Sequence, residues 1–305
     1  MHKLSTRQWT LLVLLTLVWG VNWPIMKAGV TSFPPLTFRL WCLWLGVPVL
    51  ALVLWQQKLP FKVERAHWPE VLKLAFFNMV LWHSLIIVAV QSLSSGRAAI
   101  LGYTMPIFSA VLGATLFSDR LPPRAWLGVA AAAGGVVLLL WHELANLGGR
   151  PVGVLLALGA AAAWAMGTQL LRRTKMPAHT LTLAFWMSVI TSVSLTVLAW
   201  LFEREQWHAM PAHTLAAVIY NAVMVIGFAH SVWFYLARSL PPIASTLSVM
   251  MIPIVGVFSG ALWLGEVLHW QDWSAIALVL VAIASVLWPR RAACRPLYND
   301  GHDQS

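Results

Sequence analysis

The sequence contains two related stretches, PIFSAVLGATLFSD at residues 106–119 and PIVGVFSGALWLGE at residues 253–266. Each begins with a proline, runs through apolar residues to a Gly-Ala pair and ends at an acidic residue. At the same offset of 147 residues, residues 92–141 align with residues 239–288 without a gap. Because an apolar bias alone rarely aligns prolines, glycines and tryptophans together, we interpret the chain as an internal duplication. Other identical pairs are Gly113 and Gly260, Trp126 and Trp273, and Trp141 and Trp288.

The composition around these stretches is that of a membrane protein. Of the 305 residues, 60% are hydrophobic and 10% are charged, whereas soluble domains have about 45–50% and about 25%. A spanning helix needs about 20 apolar residues, so the chain can hold ten spans and leaves no room for a separate soluble domain. We therefore predict an all-α integral membrane protein. The ten predicted spans are residues 10–29, 35–55, 71–91, 97–117, 125–141, 152–171, 180–201, 215–236, 244–264 and 273–288.

The duplication also determines the predicted topology. The same offset aligns His83 with His230, and a shift of 145 aligns Trp19 with Trp164. Each half therefore has five helices, and an odd number of spans makes the second half enter the membrane from the opposite side. Two near-equivalent, inverted halves suit alternating access. The predicted units are a first repeat at residues 1–145, an inverted repeat at residues 146–289 and a polar cytoplasmic tail at residues 290–305.

Positive charges predict the orientation. If the N-terminus is cytoplasmic, 15 of the 20 lysines and arginines lie on the cytoplasmic side and five on the outer side. Short cytoplasmic loops carry such an excess, so both termini are predicted to face the cytoplasm of the inner or plasma membrane. Nucleic-acid binding is not expected, since the cations are spread over separate segments rather than gathered in one patch with stacking aromatics. The five outer cations are Lys27, Arg39, Arg97, Arg150 and Arg204.

Three features of the chain are shared with one known family. They are the string WGVNWPIMKAG at residues 19–29, Arg39 early in the second span, and the two Pro-to-acid runs. In these the chain resembles, over nearly its whole length, the EamA-type members of the drug/metabolite transporter superfamily. The resemblance implies a small-molecule carrier, often an exporter of amino acids, other metabolites or drugs, with a central cavity lined mainly by helices 1, 3, 4, 6, 8 and 9. We expect an asymmetric site, because Gly167 stands at the position of Asn22 and no arginine matches Arg39.

The first span presents candidate cavity residues on one face. Trp19, Asn22, Trp23 and Met26 follow the i, i+3, i+4, i+7 spacing of a helix face. An aromatic face with one amide suits a partly apolar ligand, although tryptophans also anchor membrane interfaces. Because Trp19 and Asn22 lie well inside the span, we favour cavity lining. The further cavity candidates are Tyr103, Trp164 and Gln169, on the fourth and sixth spans.

Two histidines are the titratable candidates inside the spans. His83 and His230 can each hydrogen-bond a substrate and titrate near physiological pH, or they can simply bond a neighbouring helix. Their equivalent placement favours a substrate role for His83, with Asn78 nearby. The predicted apolar cores contain no Asp or Glu, and Asp119 and Glu266 lie at helix ends. Ion-coupled pumps usually carry an intramembrane acid, so the sequence favours facilitated exchange or coupling through another group.

Two prolines and one arginine complete the candidates. Pro106 and Pro253 lie near the middle of their predicted spans, where proline removes a helix hydrogen bond and bends or opens the backbone. Paired interruptions point to a midplane site, so we predict a role in helix kinking or gating, against the alternative that the prolines only shape packing. Arg39 is expected to extend outward to the membrane interface rather than to contact a substrate carboxylate.

The leading hypothesis is outward transport of a small organic metabolite, an amino acid or a related compound, through a central cavity by alternating access. A multidrug or lipophilic-cation exporter of the same fold is the closest alternative, because an aromatic, acid-free cavity tolerates varied apolar ligands. A membrane enzyme is disfavoured, since the sequence lacks H-E-x-x-H and G-x-S-x-G motifs. Cys42 and Cys294 have no metal-site spacing, so no metal or cofactor is expected. The expected partners are a small-molecule substrate and the lipid bilayer, and the chain is expected to be a monomer or homodimer.

Overall fold

The computed structural model of the chain describes residues 5–119, 123–145, 150–232 and 242–287. Over these residues the protein is helical and contains no strand. An all-helical fold suits a bilayer, because a helix satisfies its backbone hydrogen bonds internally. The predicted tail at residues 290–305 and the Trp288 position of the repeat lie outside the described residues.

The first half of the chain folds into helices α1 to α7. A capping box starts α1, in which Gln8 N donates to Ser5 Oγ at 3.3 Å and Ser5 N donates to Gln8 Oε1 at 2.9 Å. A π-helical turn at Phe76–Val80 joins α3 to α4, so residues 65–92 form one continuous helical segment. The helices are α1 (Thr6–Val30), α2 (Pro35–Gln56), α3 (Trp68–Ala75), α4 (Leu81–Ser92), α5 (Ser95–Gly102), α6 (Met105–Leu116) and α7 (Pro123–Ala145).

The second half has a longer π-helical segment, Asn221–Ala229, which follows α10. Its residues 223–227 are the repeat equivalents of the π turn at Phe76–Val80. π-Helical turns often occur at functional sites, and here each precedes one of the paired histidines, His83 or His230. The helices are α8 (Pro151–Leu171), α9 (Thr180–Glu203), α10 (Ala212–Tyr220), α11 (Pro242–Leu264) and α12 (Trp270–Leu287).

Eight helical segments of the described residues are long and apolar enough to cross a membrane. Two further apolar helical stretches, Met251–Leu264 and Trp270–Ser285, are shorter. The prediction of an all-α membrane protein is therefore confirmed, with eight spans by this measure. Predicted and observed boundaries differ most at helix starts. Pro69, for example, lies in the first turn of α3, where its missing N–H costs no hydrogen bond, so this span begins before the predicted residue 71.

The main contacts between helices have counterparts when each helix is replaced by its repeat equivalent. α1 packs against α11, and its repeat equivalent α8 packs against α5 and α6, the equivalents of α11. α1 also packs against α10 and the π segment that follows it. In the other half, α8 packs against α3, the repeat equivalent of α10, against the π turn and against α4. The pairs α2 with α9 and α7 with α12 each join repeat-equivalent helices. The largest buried cluster accordingly draws its side chains from both halves.

One close contact between the halves depends on Gly167 of α8. A Cβ atom placed at this glycine would lie 2.7 Å from the backbone N and Cα atoms of Asn78 in the π turn. Real Cβ atoms do not approach backbone this closely, so α8 can pack here only with a glycine. This contact is a physical reason why the position that matches Asn22 carries no amide in the second half.

Gly167→Ala should therefore destabilise the protein by about 1–3 kcal/mol, because the added methyl group meets backbone atoms that cannot turn aside. The measurement is the melting temperature of the full-length protein in detergent. Gly159→Ala on the same helix is the control, since its Cβ would meet Leu85 Cδ1 at 3.5 Å, an ordinary contact. Equal melting temperatures for the two variants would contradict the close contact.

Candidate functional site

The predicted face of α1 points into the helix bundle. Asn22, Trp23 and Met26 are buried there. The Trp19 ring lies edge-on to the His230 ring, with centroids 6.2 Å apart. The structure therefore brings together two residues that the sequence predicts as cavity lining from opposite halves of the chain.

Four aromatic side chains, Trp23, Trp82, Tyr103 and Trp164, form what we call the aromatic cluster, and the two from α1 and α4 meet at Gly102. Trp23 lies edge-on to Tyr103 with centroids 6.2 Å apart, and Trp82 lies edge-on to Trp164 at 5.2 Å. A Cβ atom on Gly102 would lie 2.8 Å from Cη2 of Trp23 and 3.4 Å from Cη2 of Trp82. This glycine therefore makes room for both rings, and the cluster joins α1, α4 and the end of α5 to α8 of the second half.

Trp82 is a member of this cluster that the sequence analysis missed. The repeat position of Trp82 in the second half holds Ala229, so the internal alignment carries no signal for it. Its spacing of four residues from Asn78 places the two on one helical face. This spacing is the sequence feature from which Trp82 could have been predicted as a site residue.

Arg39 is buried, with 3% of its surface exposed, so the prediction that it extends outward to the interface is wrong. Its Nη1 donates to Asn221 Oδ1 at 3.3 Å, and its Nη2 lies 2.6 Å from Met26 Sδ. These acceptors on the π segment and on α1 hold the guanidinium inside the bundle. Asn221 was also missed, because its repeat equivalent is the apolar Leu74.

Four buried side-chain atoms have no hydrogen-bond partner among the described residues. Gln271 Oε1 lies in the first turn of α12, and the other three, Arg39 Nε, Asn22 Oδ1 and His83 Nδ1, lie within spans of the first half. Buried polar atoms are almost always paired, so unpaired ones mark a place that a ligand or water can complete. His230 differs from its repeat equivalent, since its Nδ1 lies 2.8 Å from the carbonyl oxygen of Val225. The two equivalent histidines therefore have unequal surroundings, and His83 is the one with an open nitrogen.

Gln169 is engaged elsewhere, at the contact between α6 and α8. Its Nε2 donates to Ser109 Oγ at 3.0 Å, and the guanidinium of Arg173 donates to its Oε1. Arg173 Nη2 also donates to Asp119 Oδ2 at 2.7 Å. In this conformation the predicted cavity amide thus belongs to a polar network at the C-terminal ends of two helices.

Carboxylates of the second half bind the N-terminal end of α5. Glu266 accepts hydrogen bonds from Ser95 N at 2.6 Å, from Ser95 Oγ at 2.9 Å and from Gly96 N at 3.2 Å. Arg97 and Asp272 form a buried ion pair beside it, with Nε–Oδ1 at 2.6 Å and Nη2–Oδ2 at 3.2 Å. A carboxylate is stabilising at a helix N-terminus. We call these five residues the α5-end contact, and it ties the first half to the second.

Asp119 and Glu266 occupy equivalent positions of the repeat, as the sequence predicts, but their side chains bind differently. Asp119 N donates to Gly113 O at 2.9 Å, and Glu266 N approaches Gly260 O at 3.5 Å. At both acids the backbone therefore turns back towards the last turns of the preceding helix. The Asp119 carboxylate then binds Arg173, whereas that of Glu266 binds the start of α5. The two equivalent acids therefore have different partners among the described residues.

The paired prolines also have different surroundings. Near Pro106 the helix is interrupted, because α5 ends at Gly102 and α6 begins at Met105. Pro253 lies inside α11, which continues through it. The interruption in the first half places Tyr103 at the break, where its ring joins the aromatic cluster.

Two cavities lie near the start of α2. One has a volume of about 450 Å³ and is lined by residues that include Phe33, Trp41 and Trp207. The other has about 230 Å³ and includes Gln91 and Gln206. Neither is lined by a predicted site residue. Among the predicted residues, Asn22, Trp23, Asn78, His83 and Tyr103 are buried in this conformation. Trp19, Trp164 and His230 are partly exposed.

The fold and this site define a polytopic helical membrane protein whose buried polar and aromatic side chains meet between two similar halves, as they do in carriers. The model of the EamA-like transporter family matches residues 8–141 and again residues 151–288. The chain belongs to the EamA-like transporter family and is a membrane transporter. The resemblance found in the sequence is confirmed.

Several bacterial proteins are similar along nearly their whole length. The chain is 27% identical over 304 residues to the uncharacterized inner membrane transporter YedA of Escherichia coli K12, covering 95% of each chain. It is 24% identical over 296 residues to a probable amino-acid metabolite efflux pump of Salmonella typhimurium LT2, covering 92% of this chain and 94% of that protein. A solved crystal structure shares the fold with a TM-score of 0.65 at 18% identity, covering 92% of this chain and 96% of that one.

Gly102→Ala should alter transport without preventing folding, because the added methyl group displaces the end of the Trp23 ring rather than backbone. We expect the KM of the transported solute to change at least about threefold, together with the near-ultraviolet circular dichroism of the aromatic residues. Gly134→Ala is the control, since its Cβ would meet only Leu278 Cδ1 at 3.7 Å. If Gly102→Ala leaves both the KM and the spectrum as in the control, the cluster does not contribute to the site.

Proposed function

We propose that this protein exports a small organic solute, an amino acid or a related metabolite, by alternating access through a site between its two halves. The observation that carries this proposal is the set of unpaired buried atoms on Arg39, Asn22 and His83, in a chain of the EamA-like transporter family. Unpaired polar groups among membrane helices are costly, and a polar solute would complete them. The name of the Salmonella typhimurium relative, a probable amino-acid metabolite efflux pump, points to the same class of solute.

The proposal includes ten spans in the inner or plasma membrane, with residues 1–145 and 146–289 as inverted halves and both termini in the cytoplasm. α11 and α12 would add to the eight longer spans. The exchange of helix pairs between the halves supports the duplication, and the excess of cations in the predicted cytoplasmic segments supports the orientation. Inverted halves provide two end states of similar energy, which alternating access requires.

In this orientation the start of α5 and the end of α11 face the outside. The α5-end contact then closes the outer side of the protein. The repeat equivalent of Glu266 is Asp119 on the cytoplasmic side, but the equivalent of Ser95 is Pro242, which has no N–H or hydroxyl group to donate. Because the α5-end contact is formed, we assign this conformation as closed to the outside. Alternation would open the α5-end contact.

A multidrug exporter is the second candidate, and the aromatic cluster is the observation that favours it. Aromatic faces attract lipophilic cations through cation–π contacts, without the directional hydrogen bonds that an amino acid requires. The two candidates differ in the solutes that they would move, so one flux experiment distinguishes them.

The transport proposal is tested with the purified full-length protein in liposomes. Liposomes loaded with unlabelled amino acids should take up labelled amino acid by counterflow, with saturable kinetics that protein-free liposomes lack. Counterflow of lipophilic amines alone would favour the multidrug exporter. Absence of counterflow for every amino acid and amine tested would contradict transport of small organic solutes.

Glu266→Gln should favour the state open to the outside, because the variant removes the charge that the donors of α5 bind. Hydrogen bonds to charged groups contribute about 1.5–3 kcal/mol each. We expect an impermeant maleimide, added from the outside, to label a Ser259→Cys variant at least about threefold faster when Glu266→Gln is also present. Ser259 is buried on α11, at 7% exposure.

The labelling experiment uses a Cys294→Ser background, in which the remaining Cys42 is buried. Glu205→Gln is the control, since this carboxylate is exposed. A labelling rate for Glu266→Gln that equals the control rate would show that the α5-end contact does not close the outer side.

A further inference from the structure

The guanidinium of Arg39 is a buried charge without a counter-charge. Among the described residues, the ion pairs within 4.0 Å do not include Arg39. Its partners, the amide oxygen of Asn221 and the thioether of Met26, are both neutral. An ion taken out of water without an opposite charge is strongly unfavourable. An anionic group carried in by the solute would offset that cost.

One edge of this guanidinium matches a carboxylate site found elsewhere in the same protein. Arg97 holds the carboxylate of Asp272 with its Nε and Nη2 atoms. In Arg39 the same Nε has no partner in the described part of the chain, and Nη2 contacts the sulfur of Met26, a weak acceptor. A carboxylate that displaced this sulfur would accept both N–H groups, in the two-point geometry that arginine favours.

Asn221 positions the guanidinium for this contact. Its Nδ2 donates to the carbonyl oxygen of Ala217 at 3.0 Å, which directs its Oδ1 towards Nη1 of Arg39. Asn221 is fully buried, so packing also restrains it. A guanidinium held in place loses little freedom on binding, and its open edge is therefore prepared for a ligand.

Asn22 supplies a second polar contact on the same face of α1. Asn22 and Met26 are four residues apart, so their side chains lie one turn from each other, and Met26 touches Arg39. The Oδ1 atom of Asn22 is buried without a partner in the described residues, and an amide oxygen accepts hydrogen bonds from an ammonium group. Trp23, next along α1, belongs to the aromatic cluster and offers an apolar surface.

We propose that Arg39 binds the carboxylate of the transported solute and that Asn22 accepts a hydrogen bond from its ammonium group, which makes zwitterionic amino acids the substrate class. This inference rests on the proposed transport function and names the chemistry of the same site. The second half has no arginine equivalent to Arg39. The repeat therefore provides one arginine, Arg39, for this contact.

The first test compares ligands on the wild-type protein. Counterflow in liposomes is measured for the amino acid that gives the strongest signal, for its amide and for its decarboxylated amine. The amide and the amine lack the carboxylate, so we expect their KM values to exceed that of the amino acid at least about tenfold. Equal KM values for the three compounds, or transport of amines without amino acids, overturn the assignment while leaving transport intact. Counterflow of no solute contradicts the proposed function itself.

The second test changes the residue. Arg39→Gln should raise the KM of the amino acid at least about tenfold and leave that of the amide within about twofold. Arg39→Lys should give an intermediate KM, because lysine keeps the charge but not the two-point geometry. Arg65→Gln, at an exposed arginine, should match the wild type.

Size-exclusion chromatography and the melting temperature in detergent establish that each variant is folded. If Arg39→Gln is not folded, Arg39→Lys and the comparison of amino acid with amide on the wild-type protein decide the question. An amino-acid KM that is unchanged in a folded Arg39 variant overturns the proposal.

Discussion

In a bilayer every backbone N–H and C=O group must find its partner within the protein, and this constraint explains where the helices of this transporter are irregular. The described spans depart from α-helical geometry at the π turn Phe76–Val80, at the π segment Asn221–Ala229 and at the break after Gly102. Each lies where the halves pack together, next to His83, its repeat equivalent or Tyr103. Irregular backbone therefore occurs where other helices cover it, and these places also carry the polar and aromatic side chains of the site.

Charged groups follow a related division between the ends of the bundle and its interior. At the ends, carboxylates such as Glu266 and Asp272 bind partners from the other half. Such contacts can open without leaving a charge in hydrocarbon, because helix ends can reach water. Arg39 lies inside the bundle, with neutral partners. Its charge therefore cannot reach water as the charges at the helix ends can. This difference separates the residues that hold the halves together from the one that we propose binds the solute.

The helical fold and part of the site follow from local patterns in the sequence. Hydrophobic length predicts the spans, and the helix-face spacing on α1 predicts that Asn22 and Trp23 turn inward. The internal alignment adds His230, which the structure places beside Trp19. These features can be predicted because helix periodicity and the duplication both appear in the order of the residues.

The rest of the site depends on contacts between residues far apart in sequence. The inward direction of Arg39 requires Asn221, an amide that the repeat does not duplicate. The close approach of the Trp23 and Trp82 rings to Gly102 requires the small size of that residue. Neither contact has a periodic signature, so a pattern-based reading places Arg39 at the interface and overlooks Trp82.

The central claim is that the second half lies inverted relative to the first. Ser32, after α1, and Lys175, after α8, are exposed positions in equivalent loops of the two halves. In right-side-out vesicles, a membrane-impermeant maleimide should label a Ser32→Cys variant directly and a Lys175→Cys variant only after the vesicles are permeabilised. Direct labelling of both variants, or of neither, would place the equivalent loops on one side of the membrane and contradict the inversion.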